Sequence, residues 1–232
     1  MGCDIHPFVE ARESADAPWV SVQRWAEKDE DGWASLAAGQ EIAGGRCYGL
    51  FALLAGVRNR AGVKPIAEPR GIPDDCDARI RDLGVEWGGD GHSHSWLTLA
   101  EILAFDWTAV RVESGILNAV ELERFDRTRW FDDKYNPNTA RPSSWCQGSW
   151  GPGIVEVSEG VLREKIQALR KLYPDHREFD AQLKAQLGRH QARCEWPVMH
   201  SAVCSAFWWR DIPRMLRFGK PENVRMVFWF DN

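Results

Sequence analysis

The chain has 232 residues, of which 44% are hydrophobic and 27% charged, a balance typical of globular proteins rather than of disordered or fibrous ones. Lysine and arginine total 29 against 34 aspartates and glutamates, so the formal net charge is -5. This acidic balance argues against a protein that binds duplex nucleic acid through a basic surface. Small anionic or nucleotide-like ligands remain open.

The first residues also indicate in which cellular compartment the protein is expected. Asp4 and His6 stand where a secretory signal would need basic residues followed by an apolar run. No stretch approaches the roughly 18 apolar residues of a membrane span. The six cysteines include no CxxC pair, so neither a zinc ribbon nor a disulfide framework is indicated. We therefore expect a cytoplasmic protein with reduced thiols and no membrane partner.

The amino-terminal part of the chain predicts two strands and a helix. Segments 3–12 and 19–26 are short, rich in β-forming residues and separated by a polar stretch, which is typical of strands joined by a hairpin-like loop. The apolar run at 48–57 favours a short buried helix, although a run of this length is also compatible with a buried strand.

The next elements are marked by capping residues. Asp74 follows a proline-rich turn and is suited to cap a short helix, and the glycine-rich segment 88–95 predicts a loop. Thr98 and Glu101 form a capping box, in which the threonine oxygen accepts one orphan amide while the glutamate reaches back to another. A helix is therefore predicted over about 98–105.

The middle of the chain is less regular. Residues 110–125 are predicted to continue as helix, whereas periodicity disappears over about 126–153. Proline, glycine, serine and asparagine accumulate in that second segment, which is longer than the usual connection within a domain. We expect it to be a long irregular insertion or a lid.

The carboxyl-terminal part predicts helices and a closing strand. Two amphipathic helices separated at Tyr173 and Pro174 are followed by a helical segment over 201–217 and a strand over 223–231. The predicted fold class is therefore α+β, in a single domain over 1–232. Its small, mostly antiparallel sheet is formed by the amino- and carboxyl-terminal strands and packs with about five to seven helices.

Candidate catalytic and metal-binding residues alternate at two places. Asp4 and His6 share one face of the first strand, and Asp90, His92 and His94 alternate in the glycine-flanked loop. Carboxylate and imidazole ligands suit zinc or manganese, and such a metal lowers the pKa of a bound water to near neutrality. Histidines in a glycine and serine loop are equally typical of surface or capping positions, so both interpretations stay open.

Two further residues extend this candidate metal site. If the first and last strands pair antiparallel, Asp231 falls at the same end of the sheet as Asp4, beside His6. The alternative is a terminal aspartate exposed to water. His200 is a further histidine that can join the set.

Arginines and loop tryptophans are the candidate ligand-binding residues. Arg46, Arg58 and Arg70 flank the short helix and the following turn, where guanidinium groups can hold a phosphate, although ion pairs with carboxylates are the alternative. Aromatic side chains in loops beside polar clusters are typical of ligand pockets, and they also pin loops to a domain. The loop tryptophans are Trp87, Trp96, Trp145 and Trp150, and of these Trp96, Trp145 and Trp150 are assigned to such a pocket.

Five segments carry a resemblance. The chain opens with MGCDIH, contains LAGVRN at 54–59, RGIP at 70–73 and HSHSWLTL at 92–99, and closes with VRMVFWFDN at 224–232. In these motifs it resembles a family of uncharacterised proteins encoded by bacteriophages and prophages, which similarly open with MGCDIH and close with VRxVFxFDN. The resemblance implies a phage accessory protein that acts in the bacterial cytoplasm, and it implies no mechanism.

The leading hypothesis from the sequence is a metal-dependent hydrolase that acts on a phosphoester or nucleotide-like small molecule. Asp4, His6, Asp90 and His92 are its candidate catalytic residues, and zinc or manganese is its candidate cofactor. One alternative is a non-catalytic phage protein that binds and sequesters a host nucleotide signal. A factor that binds a host protein is the other.

Overall fold

The computed structural model describes residues 2–27, 30, 34–131, 140–149 and 151–232. Within the described residues the helices and strands follow in chain order as β1 (Ile5–Ala11), β2 (Val20–Ser21), α1 (Tyr48–Ala55), α2 (Ala78–Glu86), β3 (His92–Thr98), α3 (Leu99–Ala104), β4 (Val110–Asn118), α4 (Ala119–Phe131), β5 (Val155–Glu156), α5 (Glu159–Leu172), α6 (His176–Gln182), β6 (His190–Met199), α7 (His200–Val203), α8 (Ile212–Met215) and β7 (Val224–Phe230). Short π-helical segments cover Leu183–Leu187 and Phe207–Asp211.

Backbone contacts group the chain into two compact units. The first consists of Met1–Trp107 together with Val203–Asn232, and the second of Thr108–Ala202. The first unit therefore contains both ends of the chain. The single domain predicted over 1–232 stays a prediction.

The sheet of the first unit joins the two ends of the chain. Its strand order is β2-β1-β7-β3 with antiparallel pairing throughout, and β7 lies in the centre. All seven residues of β7 are buried, which explains why its sequence is apolar on both faces. In the register, Ile5 lies opposite Phe230 and Ala11 opposite Val224. The predicted α+β fold, with a sheet built from the terminal strands, is confirmed.

The first two helices pack onto this unit for different reasons. Six of the eight residues of α1 are buried, and α1 ends at Gly56, whose φ of 71° lies in the left-handed region that glycine adopts at low cost. Helix α2 places Ile80 and Leu83 in a cluster with Phe8 and Trp229 of the sheet. Its cap is Asp77, which accepts the amide N–H of Arg79, rather than the predicted Asp74.

Helix α3 has the predicted start. The Thr98 side chain accepts the amide N–H of Glu101, and the Glu101 carboxylate accepts the amide N–H of Thr98. The loop predicted over 88–95 is correct only for its first part, because β3 begins at His92. A register shift between His92 and Ser95 marks a bulge in β3, where Ser93 has a φ of 52°.

The second unit contains a sheet of order β4-β6-β5, in which β4 and β6 pair antiparallel over the whole of β4. The helix predicted over 110–125 is therefore wrong for 110–118. The prediction failed because charged residues, Arg111 and Glu113, alternate with Val110 and Val112 there, and the valines are the exposed side chains. Helix α4 begins after Asn118, whose side chain accepts the amide N–H of Glu121.

The two amphipathic helices of this unit are confirmed. Ser158 caps α5 and Asp175 caps α6, each through its side-chain oxygen. Of the insertion predicted at 126–153, the first residues belong to α4, and 132–139 and Trp150 lie outside the described residues. Within 140–149, Cys146 forms an antiparallel bridge with Ile116 of β4.

Candidate acid–base site at the paired termini

The pairing of β1 with β7 places a histidine beside an aspartate. His6 Nε2 lies 3.1 Å from Asp231 Oδ2, and Asp231 Oδ1 accepts the amide N–H of Asp4 at 2.9 Å. The Asp231 amide in turn donates to the carbonyl oxygen of Asp4 at 3.2 Å. Asp231 is therefore held by three hydrogen bonds, and the expectation that it lies beside Asp4 and His6 agrees with this geometry.

The aspartate determines which tautomer His6 adopts. A carboxylate can only accept hydrogen bonds, so Nε2 of a neutral His6 must carry the proton that it donates to Asp231. The lone pair is then on Nδ1, the atom that can accept a proton from a ligand. The His6 and Asp231 side chains are 25% and 22% exposed, so the pair is accessible from solvent.

Two tryptophans hold the imidazole ring. The His6 ring centroid lies 4.2 Å from that of Trp87 and 6.0 Å from that of Trp229, with interplanar angles of 37° and 21°. Trp229 is fully buried in the sheet, whereas Trp87 follows α2. These contacts and the bond to Asp231 restrict the orientation of the ring, which acid–base chemistry requires.

Asp4 is neutralised by an arginine. Arg46 donates from Nε to Oδ1 at 2.6 Å and from Nη2 to Oδ2 at 2.8 Å. This hydrogen bonding from Arg46 lowers the pKa of Asp4, assisted by the charges of Arg46 and His6, and the pKa of the guanidinium is raised in return. The guanidinium also lies against Gly2, where a Cβ would come within 2.6 Å of Arg46 Nη1.

Arg58 forms hydrogen bonds to both ends of the chain, and neither acceptor is a carboxylate. Its Nη2 donates to the carbonyl oxygen of Gly2 at 3.2 Å and to Oδ1 of Asn232 at 3.0 Å. Both acceptors are neutral groups, so these bonds leave the positive charge of this exposed guanidinium uncompensated. Arg46, by contrast, meets the carboxylate of Asp4.

The histidines of β3 lie elsewhere. His92 is opposite Phe230 in the register and stacks on its ring, whereas His6 is opposite Trp229. Since adjacent strand residues point to opposite faces, His6 and His92 are on different faces of the sheet. The structure therefore does not bring these two histidines together. His92 donates to or accepts from Ser93 Oγ through Nδ1 at 3.1 Å.

The His94 ring packs on Trp229, as the His6 ring does, but its hydrogen-bond partner is a different group. Its ring stacks on Trp229 at 5.6 Å, and its Nε2 lies 3.3 Å from the carbonyl oxygen of Gly84. Burial lowers the pKa of His94, and the neighbouring charge of His92 acts in the same direction. Asp90 is exposed in the turn before β3, where its amide donates to the carbonyl oxygen of Trp87.

The predicted metal ligands do not form one cluster. Among the described residues, no group of three or more histidine, cysteine, aspartate or glutamate side chains is placed to hold a metal ion. The predicted ligands are divided into the pair of His6 with Asp231, the ion pair of Asp4 with Arg46, and the separate histidines His92 and His94. A zinc or manganese centre stays a prediction.

The remaining candidate residues are in ion pairs or in the second unit. Arg70 bonds to Glu101 at 2.6 Å and lies 4.9 Å above the Trp96 ring, as the ion-pair alternative expects. Trp145 and His200 belong to the second unit, and Trp150 lies outside the described residues.

Two parts of the site were not assigned from the sequence. Trp87 covers the His6 ring, and Asn232 accepts from Arg58. The sequence placed Trp87 among the loop tryptophans typical of ligand pockets but did not assign it to this site. The interaction of Asn232 depends on the strand register, which the sequence did not predict residue by residue.

Fold and site together define an α+β protein with a histidine–aspartate pair at the junction of its termini. In comparisons with known proteins, no family model, no curated protein and no solved structure matches the chain. Over the part of the chain that the structure describes, no helix is both long and apolar enough to pass through a lipid bilayer.

Proposed function

We propose that the protein is a hydrolase acting on a phosphoester or nucleotide-like small molecule, with His6 as its general base and acid. The observation that carries this proposal is the accessible His6 ring, held through Nε2 by Asp231 at 3.1 Å. An aspartate in this position fixes the tautomer of the histidine and stabilises the imidazolium that forms when Nδ1 takes a proton. His6 Nδ1 then takes a proton from a water molecule as the water oxygen attacks phosphorus. The bond between phosphorus and the leaving-group oxygen breaks, and the imidazolium returns the proton to that oxygen.

Arg58 supplies the positive charge that such a substrate needs. Its hydrogen bonds to Gly2 and Asn232 orient the guanidinium at the junction of the termini without neutralising it. A phosphate group can therefore compete for these donors with little electrostatic cost. Arg46 is already paired with Asp4, so we assign it the role of holding the amino terminus in place.

A divalent metal is the second part of the sequence hypothesis. Zinc or manganese, when bound, would polarise the phosphoryl oxygen and lower the pKa of an attacking water. The described residues do not gather three metal ligands, so no step of the proposed mechanism passes through a metal.

A turnover assay carried out with and without added metal tests this proposal. The purified protein is incubated with aryl phosphate mono- and diesters and with linear and cyclic nucleotides, either with a chelator or with added zinc or manganese. We expect catalytic release of the leaving group from at least one substrate. Arg58→Gln should raise KM about tenfold or more while changing kcat less, because it removes a charge that binds the substrate.

The same assay separates hydrolysis from sequestration. Binding of a nucleotide without product formation in every metal arm would contradict the hydrolase proposal and support the binding alternative. The resemblance to phage-encoded proteins supports a proposed site of action in the cytoplasm of an infected bacterium.

A further inference from the structure

The helical segment before β7 exposes large apolar side chains to solvent. Over residues 205–220, Phe207 and Met215 are buried in the first unit. The large apolar side chains that the segment leaves exposed are Trp209, Leu216 and Phe218. Trp209 is 75% exposed, and it lies seven positions before Leu216 and therefore on the same side of the helix. Exposed apolar side chains that are grouped in this way indicate a contact surface.

The same segment is basic although the chain as a whole is acidic. Residues 205–220 contain four arginine or lysine side chains and one aspartate, in a chain of formal net charge -5. The aspartate, Asp211, is 1% exposed and already accepts two hydrogen bonds from Arg210. The exposed side chains of Arg217 and Lys220 form no ion pair with any residue that the structure describes. The contact surface therefore carries positive charge beside its apolar side chains.

A small cavity lies next to this surface. Its volume is about 210 Å³, and its apolar lining includes Ala43, Leu50, Ala206 and Phe207. Ala206 and Arg210 line the cavity and are also exposed, so it opens on the side of the helix that carries Trp209. Pockets for small molecules usually have volumes of roughly 300–1,000 Å³. This smaller volume suits a single inserted side chain.

We propose that this face of the first unit binds an acidic segment of a partner protein, which inserts one apolar side chain into the cavity beside Trp209. Arg217 and Lys220 pair with carboxylates of that segment, and Trp209 covers its apolar side chain. Tryptophan and arginine are enriched among the residues that dominate the energetics of protein interfaces. No residue of the proposed hydrolase site lines the cavity, so this binding is a separate property.

The distribution of charge favours a partner protein over a second copy of the chain or a lipid surface. A second copy paired about a twofold axis would place Arg217 and Lys220 against the same cations of the other copy, and like charges repel. An anionic lipid surface would attract this face but repel the rest of a chain whose formal net charge is -5. A protein segment with its own carboxylates meets the cations without either repulsion.

Selection from a random peptide library against the full chain tests the proposal. We expect the enriched peptides to contain more aspartate and glutamate than lysine and arginine, and to share a large apolar residue. Enriched sequences are then synthesised and titrated by fluorescence anisotropy. Each is compared with a version in which asparagine and glutamine replace the acidic residues. The neutral versions should bind about tenfold more weakly or worse, and the affinity of the acidic ones should fall with added salt.

Variants of the protein locate the binding surface. Trp209→Ala and Arg217→Glu should each weaken the binding of the acidic peptides about tenfold or more. Ala206→Leu should also weaken it, because the larger side chain narrows the cavity. Val85→Ala and Arg24→Glu are the matched controls, since Val85 is 69% exposed and Arg24 is an exposed arginine of the same unit. Both controls should keep the wild-type affinity, and the Tm of each variant reports its folding.

Three results would overturn the proposal. Enriched peptides that are not acidic, or that bind Trp209→Ala as well as the wild type, would show that this face does not bind an acidic segment. Binding to vesicles of phosphatidylcholine and phosphatidylserine that Trp209→Ala abolishes would assign the face to a lipid surface. Dimerisation in sedimentation experiments that the same variant abolishes would assign it to a second copy. None of these results affects the assay of turnover at His6.

Discussion

His6 Nε2 and Asp231 Oδ2 lie 3.1 Å apart although the two residues are separated by 225 positions in the chain. The antiparallel register of β1 with β7 produces this contact, because it places Phe230, the last residue of β7, opposite Ile5, the first residue of β1. The backbone bond from the Asp231 amide to the Asp4 carbonyl continues the pairing beyond the strands. The proposed acid–base pair therefore exists only when the two termini are paired.

Asp231→Asn should impair catalysis while leaving the fold intact. The asparagine amide can donate to Nε2 of His6, which favours the tautomer with its proton on Nδ1 and removes the base. We expect kcat to fall by about 100-fold or more with little change in KM. Steady-state kinetics on the best substrate of the panel measure the effect, with circular dichroism as the control for folding. An unchanged kcat would argue against the role assigned to Asp231.

Deleting residues 224–232 should abolish cooperative unfolding. The deletion removes the central strand of the first sheet, all seven residues of which are buried, and leaves β1 and β3 without their common partner. Urea denaturation followed by tryptophan fluorescence and circular dichroism measures the outcome. A truncated chain that unfolds cooperatively at the same urea concentration as the full chain would show that the terminal strands do not hold the first unit together.

Glu10→Gln should destabilise the protein by about 3 kcal/mol, because it removes the buried one of the two carboxylates paired with Arg225 and leaves only the exposed Asp75 as a charge partner. Glu10 is fully buried and accepts from Arg225 Nε at 2.7 Å, and Arg225 itself is 2% exposed. Burial raises the pKa of Glu10, and hydrogen bonds from the Asp77 amide and from Arg225 oppose that rise.

Chemical denaturation measures this change in the free energy of unfolding. Glu13→Gln is the matched control, since Glu13 is exposed after β1 and its replacement should change stability by no more than about 0.5 kcal/mol. Similar effects of the two substitutions would mean that the buried ion pair contributes little.

His94 should make the protein less stable as the pH falls. Burial lowers its pKa below the ordinary value of 6.5, so the unfolded chain takes up a proton at a higher pH than the folded chain does. Between these two pKa values the unfolded state binds more protons, and the free energy of unfolding therefore decreases with decreasing pH. This loss of stability begins near pH 6.5 and is complete once the pH is below the pKa of His94 in the folded chain.

His94→Gln isolates that contribution. The glutamine amide can still donate to the Gly84 carbonyl but does not titrate. The Tm of the wild type should therefore fall relative to that of the variant as the pH is lowered from 7 to 5. A difference that is constant over this range would contradict the assignment.

The sequence predicted the first sheet well for a physical reason. The runs around Ile5 and Phe230 are apolar and lie at opposite ends of the chain, so burying both required that they pair or pack. The capping box of Thr98 with Glu101 was equally informative, because both of its hydrogen bonds are local. Local signals and long apolar runs therefore account for the parts that could be predicted.

The parts that failed depend on interactions between distant residues. Arg111 and Glu113 are charged yet point to the inner face of β4, so the apolar alternation that identifies a strand is inverted there. His92 and His94 alternate in sequence and would share a face in a regular strand. The bulge at Ser93 separates them, with His92 stacked on Phe230 and His94 on Trp229. Neither effect is visible in the periodicity of one segment.

The most direct test of the account is the turnover number of His6→Gln on the substrate that the wild-type protein hydrolyses fastest. His176→Gln is the matched control, because His176 is an exposed histidine of α6 in the second unit. We expect His6→Gln to lower kcat by about 100-fold or more and His176→Gln to leave it unchanged. Equal kcat values for the wild type and His6→Gln, with both proteins folded, would contradict the assignment of His6 as the acid–base residue.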